Sequence, residues 1–392
     1  MALKNLEQKL PEIHHYLHQN PELSNEEYST TRKLRGWLEE AGIHVLDLPL
    51  LRTGLVAQIG TGQAPIIAIR ADIDALPIQE ETGLPYSSQV EGKMHACGHD
   101  VHTAVILGAA YNLKEREEEL PGTVRIVFQP AEETGHGAKQ IINSGGLKDV
   151  EAIFGLHNWP ELAVGELGTR AGAITAGVDR FEITIKGTGA HAASPEKGTD
   201  SIVLASQIVL ALQTISSRSV SALESVVVSV TRITGGNTWN VLPENVVLEG
   251  TVRTLNTSIQ QEIPRRMDQI LQGLAAAAGA EALLHWYPGP PATINDSRWS
   301  EFMSMVAEEH GYRVLEIGPQ MGGEDFSFYL QTIPGAFVMI GSGAAHALHH
   351  PKFAPDETLL LPAAEYFSNL TVQALKELNK SNLSMENVKS DL

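Results

Sequence analysis

The sequence predicts an α/β protein: a mixed, largely parallel sheet with helices on both faces, carrying an inserted ferredoxin-like α+β domain. Three observations predict it. Short apolar runs rich in β-branched residues recur at 54–59, 66–70, 123–128 and 152–156, with helical stretches between some of them. Strands that are apolar throughout, rather than alternating, belong to sheets covered on both faces. From residue 179 the pattern changes to clean alternation, and after residue 291 the first pattern resumes.

The elements follow in order. Residues 3–18 and 25–41 read as helices. The second opens on Ser24-Asn25-Glu26-Glu27, an S-x-x-E capping box, and stops at Gly42. Helices at about 102–116 and 136–143 lie between the apolar runs. The alternating strand (Phe181, Ile183, Ile185) leads to a helix at about 199–217, then strands near 224–233 and 244–254. A helix at 257–278 and a strand at 281–286 complete the inserted segment. The order β-α-β-β-α-β is the split arrangement of a ferredoxin-like domain. Pro288-Gly289-Pro290-Pro291 reads as the exit linker. A helix at 299–310, a strand at 335–341 and a helix at 362–378 follow, and the polar tail from about 380 reads as frayed. One domain is thus assembled from residues 1–178 and 292–392, around a second at 179–291.

Composition narrows the function. The 392 residues carry 28 Lys and Arg against 47 Asp and Glu, a formal charge of −19. Nucleic acid and anionic membrane surfaces attract basic patches, so neither is expected as a partner. No uncharged apolar run reaches the ~18–20 residues of a membrane span. The first ten residues carry charges where a signal peptide needs an apolar stretch. The single cysteine, Cys97, excludes an intrachain disulfide. These features point to a cytoplasmic enzyme.

The sharpest local signal is His95-Ala96-Cys97-Gly98-His99-Asp100-Val101-His102, which holds three of the 15 histidines beside the only cysteine. Cysteine and histidine are the first choices for a borderline-soft divalent metal, and C-x-H spacing lets two side chains converge from one turn. Three further sites lie at strand ends: Asp72 and Asp74 after 66–70, Glu132 and Glu133 after 123–128, and His157 closing 152–156. An isolated carboxylate there is more often a helix cap. Agreement across three strands suggests a common cleft instead, because open α/β sheets bind ligands beyond the carboxyl ends of their strands. Adjacent side chains diverge, so one of Glu132 and Glu133 can hold a metal while the other moves protons. A late group, His346, His349 and His350, can close the coordination shell.

The chain resembles the M20 metallopeptidase family, in its amidohydrolase branch, subfamily D. The matching stretches are HQNPELSNEE (18–27), IRADIDALP (69–77), MHACGHDVHTA (94–104), FQPAEETGHGA (128–138), GLHNWP (155–160), GTGAHAASP (187–195), NVLPE (240–244), GTVRT (250–254), GGEDFSFY (322–329) and LHHPKF (348–353). They run in order over nearly the whole chain. The resemblance implies that Cys97, His99, Glu133, His157 and a C-terminal histidine hold two divalent ions per subunit, zinc, manganese or cobalt. The family position in LHHPKF is His349, with His350 as the neighbouring alternative. Glu132 matches the catalytic carboxylate, and Asp72 and Asp74 match groups that orient the cluster.

The same resemblance makes the inserted domain a lid that also dimerises. His191 matches a lid histidine that reaches a neighbouring subunit's site, and Asn240 and Arg253 match positions that hold the substrate's free carboxylate. The residues themselves are compatible with this. Gly187, Gly189 and Ala190 allow a close backbone approach before His191, which can donate to an oxyanion. A planar guanidinium suits bidentate carboxylate binding. The implied activity is a metallo-amidohydrolase acting on N-acetyl, N-benzoyl or other N-acyl amino acids, as a homodimer or higher homo-oligomer. A dipeptidase or aminoacylase of the same clan, and a structural metal-binding protein, are the alternatives. Gly-rich GTGQA (60–64) opens no helix, so it fails the context test for a dinucleotide fingerprint.

Overall fold

The structure is a computed structural model describing residues 5–390, the side chains of 381–390 excepted. The expectation of a frayed tail falls on that last stretch and lies outside the described residues. In chain order the helices are α1 (Leu6–Gln19), α2 (Tyr28–Glu40), α3 (His99–Glu115), α4 (Gly137–Ser144), α5 (Ser201–Thr214), α6 (Thr257–Ala278), α7 (Ser297–Glu309), α8 (Ser327–Leu330) and α9 (Leu360–Ser390). The strands are β1 (His44–Val45), β2 (Leu55–Ile59), β3 (Ile66–Asp72), β4 (Thr123–Gln129), β5 (Ala152–Trp159), β6 (Glu166–Thr169), β7 (Gly172–Thr175), β8 (Gly177–Lys186), β9 (Ala190–His191), β10 (Val226–Gly235), β11 (Val241–Leu242), β12 (Asn245–Thr254), β13 (Glu281–Tyr287), β14 (Thr293–Asn295), β15 (Arg313–Glu316) and β16 (Gly335–Gly341).

The chain separates into two compact units. The larger comprises Met1–Ile174, Ile294–Gly318 and Asp325–Leu392. Its sheet has eight strands among the described residues, in the order β1-β2-β4-β3-β5-β16-β6-β15. The central pairs β4–β3, β3–β5 and β5–β16 are parallel, while β1–β2, β2–β4 and β16–β6 are antiparallel. Every residue of β3 and β16 is buried, as expected for strands covered on both faces. A core of Ile67, Ile69, Val105, Phe154, Trp299 and Phe367 lies on one side of this sheet, and one of Val56, Ile153, Phe326 and Phe337 on the other. The parallel order brings the carboxyl ends of β3, β4 and β5 together, where the chemistry-bearing residues sit.

The smaller unit comprises Thr175–Thr293 and Pro319–Glu324. Its sheet runs β10-β12-β8-β13. In order of appearance the strands are first β8, second β10, third β12 and fourth β13, so the sheet reads 4-1-3-2, all antiparallel, the split arrangement expected from the sequence. Inward residues of β8 (Phe181, Ile183, Ile185) pack with Leu204, Ile208 and Leu212 of α5 and Ile263, Met267 and Leu271 of α6.

One local expectation is overturned. Ser24 and Glu27 do not form a capping box: α2 begins at Tyr28, and Glu27 makes no side-chain cap. The Ser24 hydroxyl donates instead to Asp74 Oδ2 at 2.6 Å, and the fully buried Glu27 accepts the Ala131 N–H at 2.8 Å. The helix is capped from further back, where the Glu22 carboxylate accepts the N–H groups of Ser29 and Thr30. The S-x-x-E pattern is real, but tertiary partners for both side chains outcompete the local bond. The short strands β6, β7, β14 and β15 were also not legible, being too brief to show a period.

Candidate metal centre and active site

The site in the larger unit begins with the turn before α3. Gly98 has φ of 81°, and a Cβ there would stand 2.2 Å from Asn158 Nδ2. Only glycine fits, and the turn aims Cys97 and His99 to the same side. The Asn158 side chain fastens it by donating to the Cys97 carbonyl at 2.7 Å. Two of the non-glycine residues held in the left-handed region belong to this site: Ala131, before Glu132, at 53°, and His349 at 63°. Such strain persists where the surroundings over-determine it. Glu27 holds the first, and the His349 N–H bonded to the Ala96 carbonyl at 2.8 Å holds the second.

The donor atoms converge. Cys97 Sγ lies 3.4 Å from His157 Nε2 and 3.3 Å from His349 Nε2. His349 Nε2 is 3.4 Å and His99 Nε2 3.9 Å from Glu133 Oε1. Two overlapping sets result, Cys97-His99-His157 and Cys97-Glu133-His349, with donor atoms of each within 4.8 Å of one another and Cys97 in both. His350 is turned away: its ring stacks on His346 at 4.4 Å, and its Nδ1 accepts the Lys352 N–H.

The ring tautomers suit metal binding. His99 Nδ1 donates to the Asp74 carbonyl at 2.9 Å and His157 Nδ1 to the Asn158 carbonyl at 2.7 Å, leaving Nε2 of each to face the cluster. His99 Nε2 and Glu133 Oε1 are buried without a hydrogen-bond partner. Two unsatisfied polar atoms facing each other in a buried site are costly unless a ligand completes them. A thiol, imidazoles and a carboxylate are the donors that borderline-soft divalent ions favour, so the residues fit such a pair. His102 is excluded as a ligand, since Asp72 Oδ1 engages its Nδ1 at 2.6 Å and the Asn158 N–H its Nε2 at 2.8 Å.

The electrostatics match. Burial, then the Glu133 carboxylate, push the Cys97 thiol well up; a coordinated cation reverses that, since a ligating thiol is deprotonated. Burial acts to lower His99, but Asp72, Cys97 and Asp74 outweigh it and hold the ring well above its ordinary range. Burial and the neighbouring His102 hold His157 well below its ordinary value, so it stays neutral. Against burial, Arg70, His99 and His102 keep Asp72 strongly acidic, and His99 and the Ser24 hydroxyl do the same for Asp74. Asp74 also accepts the Glu133 N–H at 3.0 Å, tying the strand β3 end to the one after β4.

Glu132 stands beside this cluster, its Oε1 receiving the Asp325 N–H at 3.3 Å. Asp325 belongs to a buried network that residue-level reading missed. Arg70 donates to Asp72 Oδ2 at 2.7 Å, Gln129 Oε1 at 2.8 Å and Asp325 Oδ1 at 3.1 Å, and Arg70 and both carboxylates are 0% exposed. Asp325 also accepts from the Ala138 N–H and from Gln129 Nε2. Burial pushes its carboxyl up to about 6, opposed by Arg70 and these donors. One signal was present: an arginine inside an otherwise apolar strand run demands a buried carboxylate partner. Nothing local says that the partner lies 255 residues away.

The remaining candidates lie in the smaller unit. His191 is exposed on β9, with Nδ1 accepting the Ala193 N–H at 3.0 Å, which places the proton on Nε2. Asn240 Oδ1 accepts the Thr238 hydroxyl at 3.1 Å, orienting the amide so that its N–H groups point elsewhere. Arg253, on β12, is partly buried, which lowers its pKa, with Asp179 raising it.

Comparison with known proteins identifies the family. The chain matches the peptidase family M20/M25/M40 over residues 68–373. It is 47% identical to N-acetylcysteine deacetylase of Bacillus subtilis (strain 168), over 96% of this chain and 100% of that one. It is 41% identical to IAA-amino acid hydrolase ILR1-like 4 of Arabidopsis thaliana, over 97% of this chain and 89% of the relative. Among solved structures it resembles the YXEP protein of Bacillus subtilis, described as a dinuclear metal binding peptidase, with a TM-score of 0.86 and 45% identity over 95% of this chain and 99% of that one. The chain belongs to the peptidase family M20/M25/M40.

Proposed function

We propose that the protein is a metal-dependent amidohydrolase that cleaves the amide bond of N-acyl amino acids, releasing a carboxylate and a free amino acid. The observation that carries this reading is Glu132 standing beside two donor sets in which His99 Nε2 and Glu133 Oε1 are buried without a hydrogen-bond partner. A structural site has no use for such a carboxylate. Cys97, His99, Glu133, His157 and His349 would hold two divalent ions. When bound, such a pair acts as a Lewis acid toward the scissile carbonyl and makes water more acidic. The thiolate favours zinc by softness, with manganese and cobalt as the other candidates.

The Glu132 carboxylate takes a proton from the attacking water and delivers it to the leaving amine. The Asp325 N–H bond to Oε1 fixes the direction in which that carboxylate acts. Asp72 and Asp74 orient His102, His99 and Glu133 through the bonds described above. Names of relatives that act on N-acetylcysteine and on IAA-amino acids support the substrate class, since both are N-acyl amino acids.

In this reading the larger unit is the catalytic domain, and the smaller one is a lid that also dimerises. His191 Nε2–H stabilises the oxyanion, while Arg253 and Asn240 hold the substrate carboxylate. Strand register supports a contribution from a second chain. Asn245 pairs with Lys186 and Arg253 with Val178. Arg253 is therefore eight residues farther along β12, or about 27 Å at ~3.4 Å per residue. His191 and Asn240 lie beyond the Asn245 end, where β9 and β11 pair as a separate two-stranded sheet. One chain's His191 and Arg253 cannot grip the same small molecule across that span. The partner would be a second copy, docked through the open edge of β10 and the neighbouring α5, which exposes Ile202, Val203 and Leu210. Among the described residues no helix is long and apolar enough to cross a membrane, and we place the enzyme in the cytoplasm.

The test is turnover of metal-reconstituted protein on a panel of N-acetyl, N-benzoyl and aminoacyl forms of one amino acid, following amine release. Glu132→Gln is expected to keep its metal content and lose roughly 10²–10⁴-fold in kcat. Near-normal turnover in that variant removes the general-base assignment. Preference for aminoacyl substrates gives the dipeptidase reading precedence.

A further inference from the structure

A second cluster of imidazoles and carboxylates lies outside the centre just described. Helix α1 buries the stripe Leu10, Ile13, His14, Leu17 and His18. The spacing is that of any core-facing helix, but two of the five residues are histidines. Both face Asp100, in the first turn of α3, and all three side chains are at most 1% exposed.

Their hydrogen bonding has a direction. His14 Nδ1 is bonded to Glu357 Oε1 at 2.5 Å, so Nε2 faces Asp100 Oδ2, 3.1 Å away. Despite this closeness His14 Nε2 makes no hydrogen bond, because the geometry is wrong for one. His18 is bonded through Nε2 to Glu80 Oε1 at 3.2 Å and through Nδ1 to Asp100 Oδ2 at 2.6 Å. Each ring thus bonds an outer carboxylate through one nitrogen and reaches the shared Asp100 with the other, and on His18 that second contact is itself a hydrogen bond. That is the carboxylate–histidine–metal arrangement in which outer carboxylates set tautomer and basicity. The ring of Tyr86, 5.6 Å from both His14 and His18, packs edge-on against the pair.

We propose that His14 Nε2, His18 Nδ1 and Asp100 Oδ2 form a further divalent-cation site, separate from the Cys97 cluster, that clamps α1 to the start of α3. The donor atoms lie within 4.8 Å of one another. Bonds of ~2.0–2.1 Å in a tetrahedral site separate ligand atoms by about 3.3 Å. The His14–Asp100 spacing of 3.1 Å is close to this already, and His18 has to withdraw from its 2.6 Å bond by about 0.7 Å. Three carboxylates, Asp100, Glu80 and Glu357, face His14 and His18, with His15 also on Glu357 at 2.7 Å, so the cluster favours positive charge. A divalent ion supplies the same charge as protons on both rings. Two imidazoles and one carboxylate suit zinc, cobalt or manganese, and no thiolate takes part. Because α3 also carries His99, the clamp braces the helix that presents a residue of the Cys97 cluster.

Cobalt distinguishes the two centres, because only the Cys97 centre gives a thiolate-to-cobalt charge-transfer band. Chelator-stripped protein is titrated with Co²⁺, and bound metal is counted by mass spectrometry. The expected capacity is about three ions per chain, one of which adds ligand-field absorption without the thiolate band. His14→Gln and His14→Arg are expected to bind one ion fewer and to keep the thiolate band at full strength. His14→Arg keeps a positive charge beside Asp100 but has no lone pair to give, so it separates ligation from folding. A wild-type capacity of two, or an unchanged capacity in folded His14→Arg, overturns the proposal. Metal capacity is read without turnover, so failure of the amidohydrolase reading leaves this result standing, and the reverse.

Discussion

The two units place their chemistry differently. In the larger, Asp72, Asp74, His99 and Asp325 are at most 1% exposed and bonded to one another or to backbone from distant segments. In the smaller, His191 is exposed, and the bonds of His191 and Asn240 reach no farther than three residues along the chain or across the β9–β11 pair. The first arrangement is preorganised: the donors are fixed before any ligand arrives, which favours electrostatic catalysis. The second is open, as expected of residues that act only when another surface meets them. The polar groups at the larger unit's site are therefore expected to bear on both stability and chemistry, whereas His191 and Asn240 are expected to bear on chemistry alone.

The largest break in this comparison is expected at Arg70. Arg70→Met leaves Asp72 and Asp325 buried without their cation, and such losses destabilise by about 3–5 kcal/mol. Denaturant unfolding is the readout, and a loss below about 1 kcal/mol contradicts the preorganised network.

His191→Ala comes next, with an expected loss of roughly 3–4 kcal/mol in transition-state stabilisation, read as kcat, and an unchanged melting temperature. Mixing it with Glu132→Gln chains sharpens the point. If His191 acts across a dimer, random reassociation restores up to about a quarter of wild-type activity, since half the dimers carry one intact site. No recovery from exchanged chains argues that His191 serves its own subunit.

Arg253→Ala is expected to be smallest, raising KM by about 10–100-fold for substrates with a free carboxylate, in line with ~1.5–3 kcal/mol for a charged hydrogen bond. Esterified substrates change little. Equal losses for both would show that Arg253 holds its own domain, through Asp179, rather than substrate.

Much of the fold was legible because period and composition differ between the units. Apolar runs mark β3, β4, β5 and β16, and strict alternation marks β8 and β12. The candidate metal donors were legible because His95-Ala96-Cys97-Gly98-His99 concentrates unusual residue types and strand ends collect the rest. The supporting shell was not. Glu27 looked like a cap, yet it holds the Ala131 turn before Glu132. His14 and His18 looked like ordinary members of an amphipathic stripe. Their roles depend on partners brought in by the sheet order and by the return of the C-terminal segment, which no local pattern encodes.

The central claim is that Cys97 stands between two ion-binding sets. Anomalous diffraction at the zinc edge, from crystals of the metal-reconstituted protein, tests it most directly. The account predicts one peak among Cys97, His99 and His157 and another among Cys97, Glu133 and His349, each about 2.3 Å from sulfur. Peaks remote from Cys97, or His157 and His349 turned into separate pockets, would contradict it.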